Sequence, residues 1–231
     1  MMHTLFDLLA WISGPLFGLW VRRRWLAEVP APSLRHHPLY FAAAVIGMAV
    51  GAFGFGTLNL MISGHPGIGR SVVGGLFGAI AAVELYKLCR GYTGSTGLAF
   101  VAPLALGIAV GRIGCLLDGL DDYTYGLPTA LPWGVDFGDG VFRHPVQAYE
   151  SLAMLLGLGW FLQRLARGDE LVMRHGFALF VAFYAGQRFV WEFLKPYSAV
   201  VGPFNLFHLV CTALVLYASV MLWRRGGENA G

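Results

Sequence analysis

The sequence predicts an all-α integral membrane protein. It reads as seven transmembrane helices in one domain over residues 1–231, with a small extracytoplasmic cap between the fourth and fifth helices at about 118–145. Three observations lead there. Hydrophobic residues make up 57% of the chain and charged ones only 13%, against roughly 25% charged in a soluble domain. Seven stretches approach the about 20 mostly apolar residues that span a bilayer. Most of the basic residues fall on alternate connections. This composition excludes a soluble enzyme, a disordered chain and a nucleic-acid-binding module, and a net charge of +3 is too small to attract nucleic acid.

The stretches run, in order, over about 4–21, 39–62, 72–88, 98–117, 146–165, 176–194 and 205–223. No base precedes the first apolar run, and Arg22, Arg23 and Arg24 follow it, so it is expected to be a span and not a cleaved leader. The second carries Gly47, Gly51, Gly54 and Gly56, the third Gly74, Gly75 and Gly78, and the fourth Gly107, Gly111 and Gly114. Small residues at this spacing let helices approach closely in lipid. Between the fourth and fifth stretches, Gly126, Pro128, Pro132, Gly134, Gly138 and Gly140 predict compact turns. This segment is also acidic, with Asp118, Asp121, Asp122, Asp136 and Asp139.

Eleven of the sixteen bases lie on one side: Arg22, Arg23, Arg24, Arg35, Lys87, Arg90, Arg164, Arg167, Arg174, Arg224 and Arg225. Placing that side in the cytoplasm puts the N-terminus outside and the C-terminus inside. The other five are Arg70, Arg112, Arg143, Arg188 and Lys195. They fall at outer helix ends or in outer loops and call for another explanation. The three cysteines, Cys89, Cys115 and Cys211, are widely spaced. With no CxxC or Cys/His cluster, no metal site and no cofactor are expected.

Three segments carry residues able to do chemistry. Arg112, Cys115 and Asp118 recur every three residues and share a helix face. A guanidinium in a span is costly unless paired or facing a polar cavity. Pairing with Glu150 or Glu192 would lock the bundle, whereas an open fork would hold a phosphate or carboxylate with two bonds. The run Arg143-His144-Pro145-Val146-Gln147-Ala148-Tyr149-Glu150 leads into the fifth helix. Pro145 is expected in its first turn, His144 at its N-cap, and Gln147 and Glu150 on one side; a helix start favours negative ligands. The remaining histidines, His3, His36, His37, His65, His175 and His208, read as loop or interfacial residues without a role. In the third segment Arg188 and Glu192 are four apart and can pair, with Lys195 just beyond. Cations at one outer level suggest a site for an anionic headgroup. Glu84 is expected to pair with Lys87, and Asp7 to lie at the interface.

With these pieces in order, the chain resembles the bacterial prolipoprotein diacylglyceryl transferase family. The matching segments are SVVGGLFGA (71–79), GRIGC (111–115) with Asp118-Gly119, RHPVQAYE (143–150) and RFVWEFLKP (188–196). The resemblance implies transfer of diacylglyceryl from phosphatidylglycerol to the lipobox cysteine of a prolipoprotein, in the bacterial inner membrane, at a site facing the outer leaflet. It implies catalytic roles for Arg112, Arg188, His144 and Glu192. It further implies substrate contacts from Arg112, Arg188, Lys195, Arg143, Gln147, Tyr149, Glu150, Asp118, Gly114, Cys115, Gly74 and Gly75. The partners implied are phosphatidylglycerol or a similar anionic phospholipid, a prolipoprotein and membrane lipids. The chain departs from the family pattern where a histidine is usual (Val73), at the asparagine of GRxGN (Cys115) and where Lys195 replaces an arginine. Two other readings keep the lipid site: the same donor with a different acceptor, and a non-catalytic anionic-lipid-binding membrane protein.

Overall fold

A computed structural model of the chain describes residues 2–29, 37–92 and 94–227. Arg35 and His36 lie outside the described residues, as do the side chains of His3, Arg224 and Arg225. Among the described residues there are seven α-helices: α1 (Met2–Trp25), α2 (Pro38–Ile62), α3 (Val72–Cys89), α4 (Val101–Asp118, entered by a 3₁₀ turn at Leu98–Phe100), α5 (Val146–Ala166), α6 (Glu170–Glu192) and α7 (Leu206–Gly227). Five are long and apolar enough to cross a membrane: Thr4–Trp25, Pro38–Ile62, Val72–Cys89, Leu98–Asp118 and Leu206–Trp223. Helices α5 and α6 fall short of that measure. Gln147, Glu150 and Arg164 interrupt the first, and Glu170, Arg174, Gln187, Arg188 and Glu192 the second.

Local signals set the helix ends. His37 accepts a hydrogen bond from Leu39 N ahead of Pro38, at the start of α2, and Ser71 caps α3 by accepting from Gly74 N. The start of α6 corrects the sequence expectation of 176. Asp169 accepts from Leu171 N and Val172 N, Glu170 complements the helix dipole, and the helix begins six residues earlier. Arg22, Arg23 and Arg24 likewise extend α1 as its basic last turn. The α5 cap is also corrected. Pro145, not His144, occupies the N-cap with ψ 67° and makes no side-chain cap bond, while His144 N donates to Leu127 O in the preceding loop.

The helices pack mainly in the pairs α2–α3, α1–α4, α6–α7 and α4–α5. The α2–α3 seam is made by glycine backbones in contact. A methyl group at Gly78 would lie 2.1 Å from the Gly47 carbonyl oxygen, and one at Gly51 2.2 Å from that of Gly74. In lipid there is no hydrophobic drive between helices, so such close approach supplies the attraction. Gly78→Ala is therefore expected to spread the seam and cost about 1–3 kcal/mol. Thermal unfolding in detergent measures this, and an unchanged midpoint would contradict it. Outside the seams the surface is apolar, with Leu8, Trp11, Leu16, Ile46, Val50, Leu85, Leu156, Leu216 and Trp223 exposed, as befits a lipid-facing perimeter.

Two β-hairpins lie at the helix ends around the α6–α7 junction and the α4–α5 connection. One pairs β1 (Val135–Asp136) with β2 (Phe142–Arg143) inside the 119–145 segment, which holds turns and no helix among its described residues. The other pairs β3 (Ala199–Val201) with β4 (Phe204–Asn205) between α6 and α7. Neither hairpin is expected from the sequence. The 119–145 segment is anchored on the end of α6, where Leu127 N donates to Leu194 O at 2.7 Å and Tyr123 Oη to Pro196 O at 3.1 Å.

Candidate functional site

The anchoring brings the C-terminal ends of α4 and α6 to the N-terminal ends of α5 and α7. Four elements each send charged or polar groups inward at this level. Glu150, in the second turn of α5, is the hub. Its Oε2 lies 2.7 Å from Arg112 Nε of α4. Its Oε1 meets Arg188 Nη1 of α6 and lies 2.9 Å from Nζ of Lys195, in the loop after α6. Arg188 Nη2 turns to Glu192 Oε1 at 2.5 Å, the i,i+4 pair expected from the sequence. Beside the hub, Ser151 Oγ donates to Ala109 O at 2.9 Å and fixes α5 against α4.

Three cations thus face two carboxylates. The cluster is nearly sealed: Arg112 is 5% exposed, Arg188 3% and Glu150 2%. Separated charges buried like this are costly unless paired and hydrogen-bonded, and pairing leaves one positive charge in excess. Further polar atoms around the cluster have no hydrogen-bond partner among the described residues: Arg188 Nε, Gln147 Oε1 and Tyr184 Oη. An anion arriving here would find a fixed positive field of low polarisability and donors already in place.

The predicted site residues separate into those gathered here and those placed elsewhere. Arg112, Arg188, Glu192, Lys195 and Glu150 form the cluster, with Gln147 buried beside Glu150 on the same face of α5. Cys115 Sγ lies 4.0 Å from Arg112 Nη1, and Gly114 is buried on the same helix. Asp118 ends α4 half-buried. Tyr149 Oη accepts from Trp133 Nε1 at 2.8 Å and stands 3.4 Å from His144 Nδ1. These two residues form a rim at the start of α5. Arg143 is not in the cluster. Both its terminal nitrogens bind Asp139, each at 2.7 Å, and it covers the Tyr125 ring. Gly74 and Gly75 serve packing, since their Cα atoms face Gly51, Ala52 and Met48 of α2. Of the outlying pairs, Lys87 binds Glu84 at 2.7 Å and Arg70 binds Asp7 at 3.1 Å. Tyr217 also donates to Glu84.

The Arg143–Asp139 pair ties the β1–β2 hairpin. The hydrogen bond from Arg143 chiefly lowers the Asp139 carboxyl from 3.8 to about 2. A depressed acid contributes stability that is present above its unfolded pKa and is lost as pH falls through the folded one. Hairpin order, followed by amide exchange at Val141 and Asp139, is thus expected to hold above pH 4 and weaken between 4 and 2. Equal protection at pH 5 and pH 2 would contradict the assignment.

Two buried residues beside the cluster are not expected from the sequence. His208, expected at a loop or interface, is 1% exposed in the first turn of α7, ringed by Phe189, Phe193 and Phe204. Asn205 Nδ2 donates to Glu192 Oε2 at 3.1 Å. An Asn immediately before an apolar run is an N-cap signal, and that signal was available for Asn205.

A family model described as prolipoprotein diacylglyceryl transferase matches residues 9–224. The chain is 28% identical over 218 residues to a phosphatidylglycerol–prolipoprotein diacylglyceryl transferase of Vibrio vulnificus (strain CMCP6), covering 86% of this chain and 77% of that one. It is 37% identical over 162 residues to the protein of that name from Geobacter sulfurreducens, covering 66% and 60% respectively. For the Vibrio campbellii protein the figures are 30% over 216 residues, 85% and 76%. No solved structure matches.

Proposed function

Because the chain belongs to the prolipoprotein diacylglyceryl transferase family, we propose that it moves diacylglyceryl from phosphatidylglycerol to the lipobox cysteine of a prolipoprotein. The observation that carries this reading is the convergence of Arg112 and Arg188 on one carboxylate with a cation in excess. The cysteine sulfur attacks the primary glycerol carbon, the carbon–oxygen bond to phosphate breaks, and glycerol phosphate leaves with the bonding electrons. Arg112 and Arg188 meet the charge gathering on the leaving phosphate, and Glu192 orients Arg188. The thiol proton must go to a base, because the thiolate is the nucleophile, and His144 beside Tyr149 is the acceptor on this reading. Since the cluster is nearly sealed, the lipid phosphate enters by displacing part of the Glu150 shell. Gln147, Tyr149, Glu150, Asp118, Gly114 and Cys115 border the path it takes.

On the same reading all seven helices cross the bacterial cytoplasmic membrane, α5 and α6 carrying their charges inward between apolar neighbours. The N-terminus is outside, the C-terminus in the cytoplasm, and the 119–145 segment caps the site at the outer leaflet. The test is mass spectrometry of a lipobox peptide incubated with the purified protein and phosphatidylglycerol. A diacylglyceryl mass gain on the cysteine is expected; an unmodified peptide contradicts the proposal.

One observation favours a second reading, the same donor with another acceptor. Val73, which stands where the family pattern usually has a histidine, is packed in the core at 1% exposure, so that position supplies no base for a thiol. Glycerol phosphate release without peptide modification would select it.

A further inference from the structure

We propose that Asn205 is a positioning residue for the arginine pair, acting through Glu192. The proposal deepens the reading above and rests on it. Glu192 is buried, and one of its oxygens is taken by Arg188. The other needs a donor, since a half-satisfied buried carboxylate is free to turn and costly to leave so. Asn205 Nδ2 is that donor, at 3.1 Å.

The amide cannot easily turn away. Its Oδ1 accepts from Phe207 N at 2.9 Å and from His208 N at 3.1 Å, capping α7. Flipping the amide would set NH₂ against two N–H groups, so the hydrogen-bond network assigns the orientation. His208 completes the lock. Its Nδ1 accepts from Asn205 N at 3.1 Å, which holds the Asn205 backbone and places the ring proton on Nε2. The result is one continuous chain of hydrogen bonds and ion pairs. It runs from the first turn of α7 through Asn205 and Glu192 to Arg188, and on through Glu150 to Arg112.

A group held from both ends keeps its planar fork aimed. Arg188 bridges Glu192 and Glu150, and Asn205 anchors the Glu192 end. The β3–β4 hairpin, which ends at Asn205, is thereby tied to the geometry of the phosphate site. Asn205 touches no reacting atom and is not a catalytic residue.

Substitution can separate this role from helix capping. Asn205→Asp and Asn205→Ser keep a capping acceptor but break the bond to Glu192, Asp by replacing the amide donor with a carboxylate and Ser by holding its donor on a side chain one atom shorter, whereas Asn205→Ala removes both. The full-length protein in nanodiscs containing phosphatidylglycerol and phosphatidylcholine is assayed for lipidation of a lipobox peptide, and separately for preferential retention of phosphatidylglycerol by native mass spectrometry. The Asp and Ser variants leave one buried Glu192 oxygen without its donor, so they are expected to unfold a few degrees below wild type but above Asn205→Ala, and to lose about tenfold or more in turnover together with their lipid preference. Combining Glu192→Gln with Asn205→Asp reverses the donor and keeps the bond, and is expected to recover part of both losses. A role limited to capping predicts wild-type behaviour from Asp and Ser and a loss only from Ala, and that result overturns the proposal. If wild type retains phosphatidylglycerol but lipidates nothing, the transfer reading fails while the lipid preference still tests Asn205. Wild type showing neither property overturns both.

Discussion

Glu150→Gln is expected to be the most damaging single substitution in the chain. The amide keeps the shape of the carboxylate but removes the charge facing Arg112, Arg188 and Lys195. Three buried cations would then share Glu192 alone. Breaking a buried pair by removing one partner costs roughly 3–5 kcal/mol, and here one partner serves three. The expected result is a protein recovered in low yield, unfolding many degrees below wild type and without transfer activity. Thermal unfolding in detergent by tryptophan fluorescence measures it. A Glu150→Gln protein as stable as wild type would show that the cluster's charges are compensated elsewhere. Because Glu150 is both lock and shell, loss of activity in this variant is not by itself evidence of a chemical role.

The second large effect separates chemistry from stability. Arg188→Lys keeps the positive charge but not the fork. An ammonium is a point donor and cannot bridge Glu192 and Glu150 in one plane. Arg112→Lys loses the geometry in which Nε serves Glu150 while Nη1 is turned toward Cys115. Removing one preorganised donor to a developing oxyanion costs about 10²–10³ in turnover. Each lysine variant is therefore expected to fold, to unfold within a few degrees of wild type, and to transfer diacylglyceryl at about a hundredth of the rate or less. The measurement is peptide lipidation under saturating lipid, alongside the unfolding midpoint. Lysine variants with near-wild-type turnover would remove the guanidinium forks from the mechanism and leave only a diffuse positive field.

Much of this site could be read from residue order alone, for a specific reason. A helix repeats at 3.6 residues, so Arg188 with Glu192, and Gln147 with Glu150, are fixed as face-sharing neighbours before any fold is known. Apolar length likewise places the five spans to within a few residues at most ends, while α5 and α6, interrupted by polar and charged residues, form helices that fall short of that measure. Periodicity does not say which helices meet. Glu150 emerged as the hub only once α4, α5 and α6 were packed, because its three partners come from α4, α6 and the loop beyond α6. The motif points Gly74 and Gly75 toward substrate, while their spacing against Gly47 and Gly51 points to the helix packing that the structure shows. Depth alone groups Arg143 with the other outer cations, but Asp139, four residues away, claims it. A histidine at the edge of a predicted span resembles an interfacial one, but His208 is enclosed by Phe189 and Phe193 at the end of α6 and by Phe204 of the β3–β4 hairpin, contacts that no periodicity foretells.

The claim most exposed to test is that Arg112 and Arg188 together hold a lipid phosphate. Native mass spectrometry of the protein released from membranes holding phosphatidylglycerol and phosphatidylcholine in equal amounts measures it directly. Wild type is expected to retain phosphatidylglycerol in preference, and Arg112→Lys and Arg188→Lys each to lose most of that preference. Equal retention of the two lipids by wild type, or an undiminished preference in both variants, would contradict it.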